Sequence, residues 1–371
     1  MEETQYTETN TQHFSSSVVN SYNEWDTLEE VIVGIVDNAV VPPWDITTKA
    51  SMPHKHRNFY LANAGKAFPK DLIDAANKEL NNLATLLEKE GVIVQRPEKV
   101  NNSQSFSTPN WTSPCGLYQA MPRDLLLVIG NEIIESPMAW RTRYYEIEGY
   151  RKLLKYYFSK GAKWVSAPKP QLLDLLYNFE YKETTYCQDR EYGITEFEPA
   201  FDAADFIRCG KDIFVQRSNV TNVFGIEWMR RYLGSSYKIH ELFFNDPNPM
   251  HIDSTFMPLA PGYLLVNPKR VIEIPEMFRE WKIIYAPPSS ISSTHPLYMS
   301  SSWLGTMNVL MIDEKRVIVD PEEKDLISLL RQNGFETLPC SFRNFNAFGG
   351  SFHCATCDIR RRGSLQSYFD Y

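Results

Sequence analysis

Five short segments share one pattern: a polar or turn residue, three to five β-formers, then another turn or polar residue. They are Glu30-Val-Ile-Val-Gly34, Asp124-Leu-Leu-Leu-Val-Ile-Gly130, Asp212-Ile-Phe-Val-Gln216, Gly262-Tyr-Leu-Leu-Val-Asn267 and Arg316-Val-Ile-Val-Asp320. Apolar runs of this length between turn residues read as buried strands. Each has a helical candidate downstream, at residues 70–90, 144–160, 226–233, 274–281 and 322–333. The recurrence predicts five strand-and-helix modules in one closed architecture, and no Pro/Gly/Ser-rich linker divides the chain. Five such strands can also occur in any mixed α and β protein, so the pattern alone leaves both readings open. Residues 42–68 and 101–122 are long for connectors, and loops of that length usually carry function.

Bulk properties narrow the function classes. Hydrophobic residues make up 43% and charged residues 23%, as in ordinary globular proteins. A formal charge of −8 argues against nucleic acid, whose phosphates call for clustered Lys and Arg, and leaves small molecules as the expected partners. No apolar run approaches the roughly 18 residues of a membrane span. Residues 1–17 are polar and acidic, with neither the apolar stretch of a secretion signal nor the Arg-rich character of a mitochondrial leader; they read as a disordered tail on a cytoplasmic protein. Six cysteines, Cys115, Cys187, Cys209, Cys340, Cys354 and Cys357, are thinly spread, which predicts no disulfide framework. No glycine-rich phosphate loop follows a strand, so no nucleotide cofactor is implied.

Three polar knots could carry chemistry: Phe201-Asp202-Ala-Ala-Asp205, Asn248-Pro-Met250-His251-Ile-Asp253, and Gly349-Gly350-Ser-Phe-His353-Cys354-Ala-Thr-Cys357-Asp358. A Cys, a His and a carboxylate distant in sequence can meet as nucleophile, proton shuttle and orienting group. Carboxylates also pair with the planar fork of a guanidinium, so Cys, His and several Asp together match a guanidinium substrate. Other readings stand beside this one. A cysteine can be a small core hydrophobe. His353-Cys354-x-x-Cys357 can begin a zinc or dithiol site, although no second Cys/His pair with ligand spacing occurs. Asp202 and Asp205 can cap a helix, and Arg360 to Arg362 can be a solvated strand end. Gly349-Gly350 suits a close approach of backbone to a ligand.

At these knots the chain resembles a known family. SYNEWDTLEEVIVG, MPRDLLLVIGNEIIESPMAWR, FDAADFIRCGKDIF, DPNPMHID and above all GGSFHCATCDIRRRGSLQSYF closely resemble the arginine-dependent amidinotransferases, over residue 20 to the C-terminus. The resemblance implies a single catalytic domain over residues 18–371, folded as a five-module pseudo-symmetric α/β propeller of the pentein class. It also implies a homodimer without metal or cofactor. By the same resemblance Cys354 is the nucleophile, His251 the general acid and base, and Asp202 its orienting partner. Asp124 and Asp253 match the carboxylates that grip the guanidinium, Arg270 the clamp on the arginine carboxylate, with Ser300 or Ser301 assisting, and Asn248 and Met250 the border of the acceptor pocket. The implied reaction is ping-pong: the amidino group of L-arginine passes through an amidino-cysteine to an acceptor amine, releasing L-ornithine. Glycine, giving guanidinoacetate, is the leading acceptor, and lysine or a natural-product amine the alternative. Ala355 departs from the family pattern, since the vertebrate glycine enzyme carries Trp there, which suggests a larger space beside the sulfur. A pentein hydrolase that converts arginine to citrulline and a non-catalytic arginine-binding protein are the readings from other classes.

Overall fold

The recurring apolar runs become three-stranded sheets of one topology, in which a central strand has an antiparallel partner on one side and a parallel partner on the other. The computed structural model describes residues 18–52, 54–183, 190–290 and 303–369, so the expected tail at residues 1–17 lies outside the described residues. In the first module Thr27–Val33 is central, flanked by Thr356–Arg362 (antiparallel) and Ile93–Gln95 (parallel). In the second Glu132–Glu135 lies between Leu126–Ile129 and Lys163–Ser166. Asp212–Gln216 lies between Phe206–Cys209 and Lys238–Leu242 in the third, and Tyr263–Val266 between Phe256–Ala260 and Lys282–Tyr285 in the fourth. Arg316–Val319 lies between Leu310–Met311 and Glu336–Pro339 in the fifth. This is the expected five-module α/β propeller of the pentein class. Because Thr356–Arg362 pairs with Thr27–Val33, the two ends of the chain close the ring.

Parallel neighbours need a crossover, and helices supply it in four modules: Lys70–Lys89, Arg151–Ser159, Val223–Leu233 and Lys324–Gln332. The first buries Leu72, Ala76, Leu80, Leu83 and Leu87, the i, i+4, i+8 stripe that lets a helix pack on a sheet. The helix expected at residues 274–281 does not form. Pro275 removes a donor and biases Ile274 toward extended backbone, leaving only the 3-10 turn Glu276–Phe278. At residues 144–160 the first part is the 3-10 turn Glu146–Tyr150, and the α-helix starts at Arg151. The run from Asp124 also differs from expectation. Pro122 starts a single helical turn, Pro122–Leu125, so Asp124 sits in a turn and Leu126–Ile129 is the outer strand; the central one, Glu132–Glu135, has only two apolar residues. The long connectors are not structureless: residues 42–68 contain helices Ile46–Ser51 and Arg57–Asn63, and residues 101–122 contain the ribbon Phe106–Ser107 with Thr112–Ser113. Among the described residues no helix is long and apolar enough to cross a membrane.

A buried ion network ties the modules together at the centre. Glu24 accepts from Arg208 Nε at 2.8 Å and Nη2 at 2.7 Å, from Arg123 Nη1 at 3.3 Å, and its Oε2 is 3.2 Å from His353 Nε2. Asp358 accepts from Arg123 at 2.7 Å, Arg208 at 2.8 Å and Arg361 at 2.8 Å. Burial opposes both carboxylate charges, but the guanidiniums outweigh it and hold Glu24 and Asp358 well below the usual carboxylate range. Their stabilising contribution is therefore complete above the unfolded value of about 4 and is lost as the pH falls below it toward the native values. Glu24→Gln leaves two guanidiniums under-compensated, and breaking a buried pair in this way costs about 3–5 kcal/mol. Urea denaturation at pH 7 should show that loss, and the difference from wild type should shrink below about pH 4 as Glu24 of the unfolded chain takes up its proton.

Candidate functional site

In each module the turn just before the antiparallel strand carries polar residues. Asp124 lies in Pro122–Leu125 ahead of Leu126–Ile129; Asp202 precedes and Asp205 ends the turn Ala203–Asp205 ahead of Phe206–Cys209; His251 precedes and Asp253 lies within Ile252–Ser254 ahead of Phe256–Ala260. Asn308 follows Leu304–Met307 ahead of Leu310–Met311, and His353 and Cys354 precede Thr356–Arg362. Antiparallel outer strands of equal placement in a ring bring these turns to one end of its axis. The polar knots thus converge because the module repeats.

At the meeting point, one atom each of Asp124, His251 and Cys354 lie within 4.8 Å of one another. His251 Nε2 is 3.0 Å from Asp202 Oδ2, and His251 Nδ1 is 3.6 Å from Asp124 Oδ1. Cys354 Sγ lies 3.6 Å from Asp253 Oδ2, which also meets His353 Nδ1 at 2.7 Å. Asp124 Oδ2 accepts from Arg143 Nη1 at 2.8 Å, and Arg143 is itself held bidentately by Glu146 at 2.6 and 2.9 Å. One oxygen of each of Asp124, Asp202 and Asp253 is buried with no hydrogen-bond partner among the described residues. Such oxygens favour a ligand rich in N–H donors. Asp124, His251 and Cys354 are also the set that could hold a metal ion, but Arg143 and Asp202 already occupy parts of the carboxylate and imidazole.

A cavity of about 290 Å³ adjoins this cluster, lined by Cys354, His251, Asp253, Asn248, Met250 and Arg270, among others, while Asp124 and Asp202 are not among its lining residues. Arg270 stands at the Asp246 side, 3.0 Å from its Oδ2 and donating to Ser254 Oγ and Thr255 Oγ1 at 3.0 Å. Asn248 Oδ1 accepts from Tyr181 at 3.0 Å. His251 has φ 57° and ψ 111°, an unusual backbone for a non-glycine residue; Ser254 Oγ donates to its carbonyl at 3.1 Å and holds the bend. Gly350 is required by space, since a Cβ there would lie 2.6 Å from Met121 Sδ and 2.8 Å from Cys354 Cβ. Ala355 is fully buried in the core cluster that also holds Cys354, Phe352 and Val33, and it is not among the cavity-lining residues. Cys357 packs in a different cluster, with Leu126 and Ile359, and its thiol faces the Leu126 carbonyl at 3.5 Å.

The electrostatics set the protonation states. Burial opposes an imidazolium at His251, but Asp124, the hydrogen bonds to Asp202 and Cys354, and the Asp202 charge together raise it well above its ordinary value. Burial, then Asp253 and Asp124, push the Cys354 thiol up to about 12 despite His251. The pair in the ligand-free protein is therefore imidazolium and thiol. Asp205, accepting from Ser218 and Thr221 at 2.6 Å and Gln216 at 3.0 Å, is raised by burial to about 6.

Of the residues expected from the sequence, Cys354, His251, Asp202, Asp124 and Asp253 come together, and Arg270, Asn248 and Met250 line the same cavity; Ser300 and Ser301 lie outside the described residues. His353, which the sequence offers as the start of a zinc or dithiol site, instead bridges Asp253 and Glu24. Arg143, Glu146 and Asn308 belong to no spacing motif, and the one signal that finds Asn308 is its place before the fifth antiparallel strand.

No protein-family model matches the chain. It is 55% identical over 353 residues to the L-arginine:L-lysine amidinotransferase of Pseudomonas savastanoi pv. phaseolicola, covering 95% of this chain and 97% of that one. It is 52% identical over 361 residues to the mitochondrial glycine amidinotransferase of Gallus gallus, covering 95% and 85%. An amidinotransferase of the saxitoxin biosynthetic pathway from Microseira wollei superposes with a TM-score of 0.88 at 50% identity, over 95% of this chain and 100% of that one.

Since the folded value of His251 is raised, its charge stabilises the native state below the unfolded value of about 6.5, and that contribution is lost as the pH rises through the folded value. Asp202→Asn removes one of the groups responsible. Nitrogen-15 NMR of the imidazole should show His251 doubly protonated at pH 7 in the wild type and titrating at lower pH in the variant; identical titrations would contradict the assignment.

Proposed function

The chain belongs to the arginine-dependent amidinotransferases, a class of enzymes that transfer one-carbon groups, and we propose that it moves the amidino group of L-arginine through an amidino-Cys354 intermediate to an amino-acid amine, releasing L-ornithine. The observation that carries this reading is the convergence of Cys354 and His251 with the under-satisfied carboxylates Asp124 and Asp253, where Cys354, His251, Asp253 and Arg270 line one cavity. The guanidinium of arginine supplies N–H donors to Asp124 and Asp253, and Arg270 pairs with the α-carboxylate, with Ser300 or Ser301 assisting. Asp202 holds the imidazole of His251.

Binding also prepares the nucleophile. In the ligand-free protein Asp124 and Asp253 oppose a thiolate; a bound guanidinium offsets part of their charge, so that the Cys354 thiol releases its proton to solvent as arginine binds. The thiolate attacks the guanidino carbon, the bond to the ornithine nitrogen breaks, and the proton on His251 passes to that nitrogen. In the second half the acceptor gives its proton to His251, attacks the same carbon, and the carbon–sulfur bond breaks with its electron pair returning to sulfur. A cavity of about 290 Å³ is at the small end of ligand sites and suits donor and acceptor in turn, as ping-pong exchange requires.

Glycine is the leading acceptor, giving guanidinoacetate, and Asn248 and Met250 border its place. Lysine is the specific alternative, favoured by the 55% identical relative whose name carries it. The protein acts as a cytoplasmic homodimer in this reading. Acid-quenched protein incubated with L-arginine alone should gain the mass of one amidino group in wild type and none in Cys354→Ala. The acceptor that discharges the adduct identifies the second substrate. An adduct that keeps the arginine carbon skeleton and ends in citrulline would overturn transfer in favour of hydrolysis.

A further inference from the structure

One side chain touching the nucleophile has no part in the scheme above. Asn308 is fully buried in the turn of the fifth module, the position that supplies Asp124, Asp202, His251 and Cys354 in the other four. Its main chain is fixed on both sides: its N–H donates to the Leu304 carbonyl at 3.1 Å, and its carbonyl accepts from His353 N–H at 3.4 Å. Its Oδ1 accepts from the backbone N–H groups of Ser351 at 3.2 Å and Cys354 at 3.1 Å. Those groups can only donate, so the amide can be placed in one orientation, and Nδ2 must face Cys354 Sγ, which it reaches at 3.2 Å.

The other charged and titratable groups facing the sulfur are Asp253, Asp124 and His251, with the Tyr118 phenol nearby. Two of these are carboxylates that disfavour a thiolate. The cation, His251, gives up its proton during the first half-reaction, just as a thiolate must still be accommodated whenever the carbon–sulfur bond is only partly formed. A neutral donor that never titrates would serve at every stage.

Building on the proposed transfer, we propose that Asn308 is a catalytic residue: its Nδ2–H holds Cys354 Sγ and stabilises the sulfur anion, both when the thiolate attacks the guanidino carbon and when it leaves after the acceptor's attack. Asn308 gives up no proton in either step. The bonds made and broken are those already stated, carbon–sulfur forming as carbon–nitrogen breaks and the reverse, with the proton carried by His251.

Two variants separate the donor from the scaffold. Asn308→Asp keeps an oxygen for the Ser351 and Cys354 amides and exchanges the donor for a third carboxylate, whereas Asn308→Ala removes both. The rate of iodoacetamide alkylation of Cys354, located by peptide mass, is read against pH alongside single-turnover formation and discharge of the amidino adduct. Removing one donor from an oxyanion costs about 100- to 1,000-fold in rate, and a weaker bond to sulfur should cost about 10- to 100-fold. Both variants should slow both half-reactions by that factor and move the alkylation profile to higher pH, while the KM for arginine changes much less than kcat. Unaltered alkylation profiles and half-reaction rates in folded Asn308→Asp would overturn the proposal, and that variant decides alone where Asn308→Ala does not fold. Failure of the underlying transfer reading looks different: wild type would form no adduct at Cys354, whatever the alkylation profiles show.

Discussion

Everything at the centre of this ring depends on the compensation of buried charge. Glu24, Asp358, Arg123, Arg208 and Arg361 are almost wholly withdrawn from water, where an unpaired ion is costly by several kcal/mol. They are tolerated because each carboxylate meets two or more guanidiniums, and those guanidiniums come from different modules. Arg123 stands before the second antiparallel strand, Arg208 lies within the third and Asp358 within the closing strand of the first. A ring of five small sheets has no single apolar layer running through its middle. Polar pairing fills that space and fixes how the sheets are turned toward one another.

The same network reaches Cys354, the proposed nucleophile. Arg123 Nε donates to the carbonyls of His353 at 3.1 Å and Thr356 at 2.9 Å, bracketing Cys354, and His353 bridges Glu24 to Asp253. Cys354 is presented by the turn that leads into Thr356–Arg362, the strand whose pairing with Thr27–Val33 closes the ring. Closure and presentation of the thiol are thus one structural event, and disturbance of the central ions moves the site as well as the fold.

The apolar runs located most of the central strands, because buried strands are short, apolar and bounded by turns, whereas the closed ring came from the family resemblance. Thr27–Val33, Asp212–Gln216, Tyr263–Val266 and Arg316–Val319 all sit where those runs are. Glu132–Glu135 escaped because Glu135 is buried by pairing with Arg151 and Trp164 rather than by being apolar, a tertiary fact with no local trace. The same holds at the site. Cys354, His251 and the Asp residues stand in dense polar knots, and the family resemblance attached roles to them. Arg143 and Glu146 are partners whose meaning appears only when Asp124 lies 2.8 Å away. Ala355, next to Cys354 in sequence, is buried in the same core cluster and does not line the cavity, since adjacency in sequence does not decide which side of a turn a side chain faces.

The charge arrangement explains how a cysteine can be kept ready without being exposed to chance reaction. In the ligand-free protein, burial and two nearby carboxylates hold Cys354 as a thiol, the form that does not attack electrophiles. The same carboxylates hold His251 as an imidazolium, the form that can protonate a leaving amine. In the proposed reaction a bound guanidinium offsets part of the carboxylate charge that disfavours a thiolate, and it weakens the hold of the same carboxylates on the imidazolium as the proton is needed elsewhere. On that proposal, selectivity for a guanidinium and activation of the thiol follow from one electrostatic balance. A neutral molecule of the same size could enter the cavity and still leave the sulfur protonated.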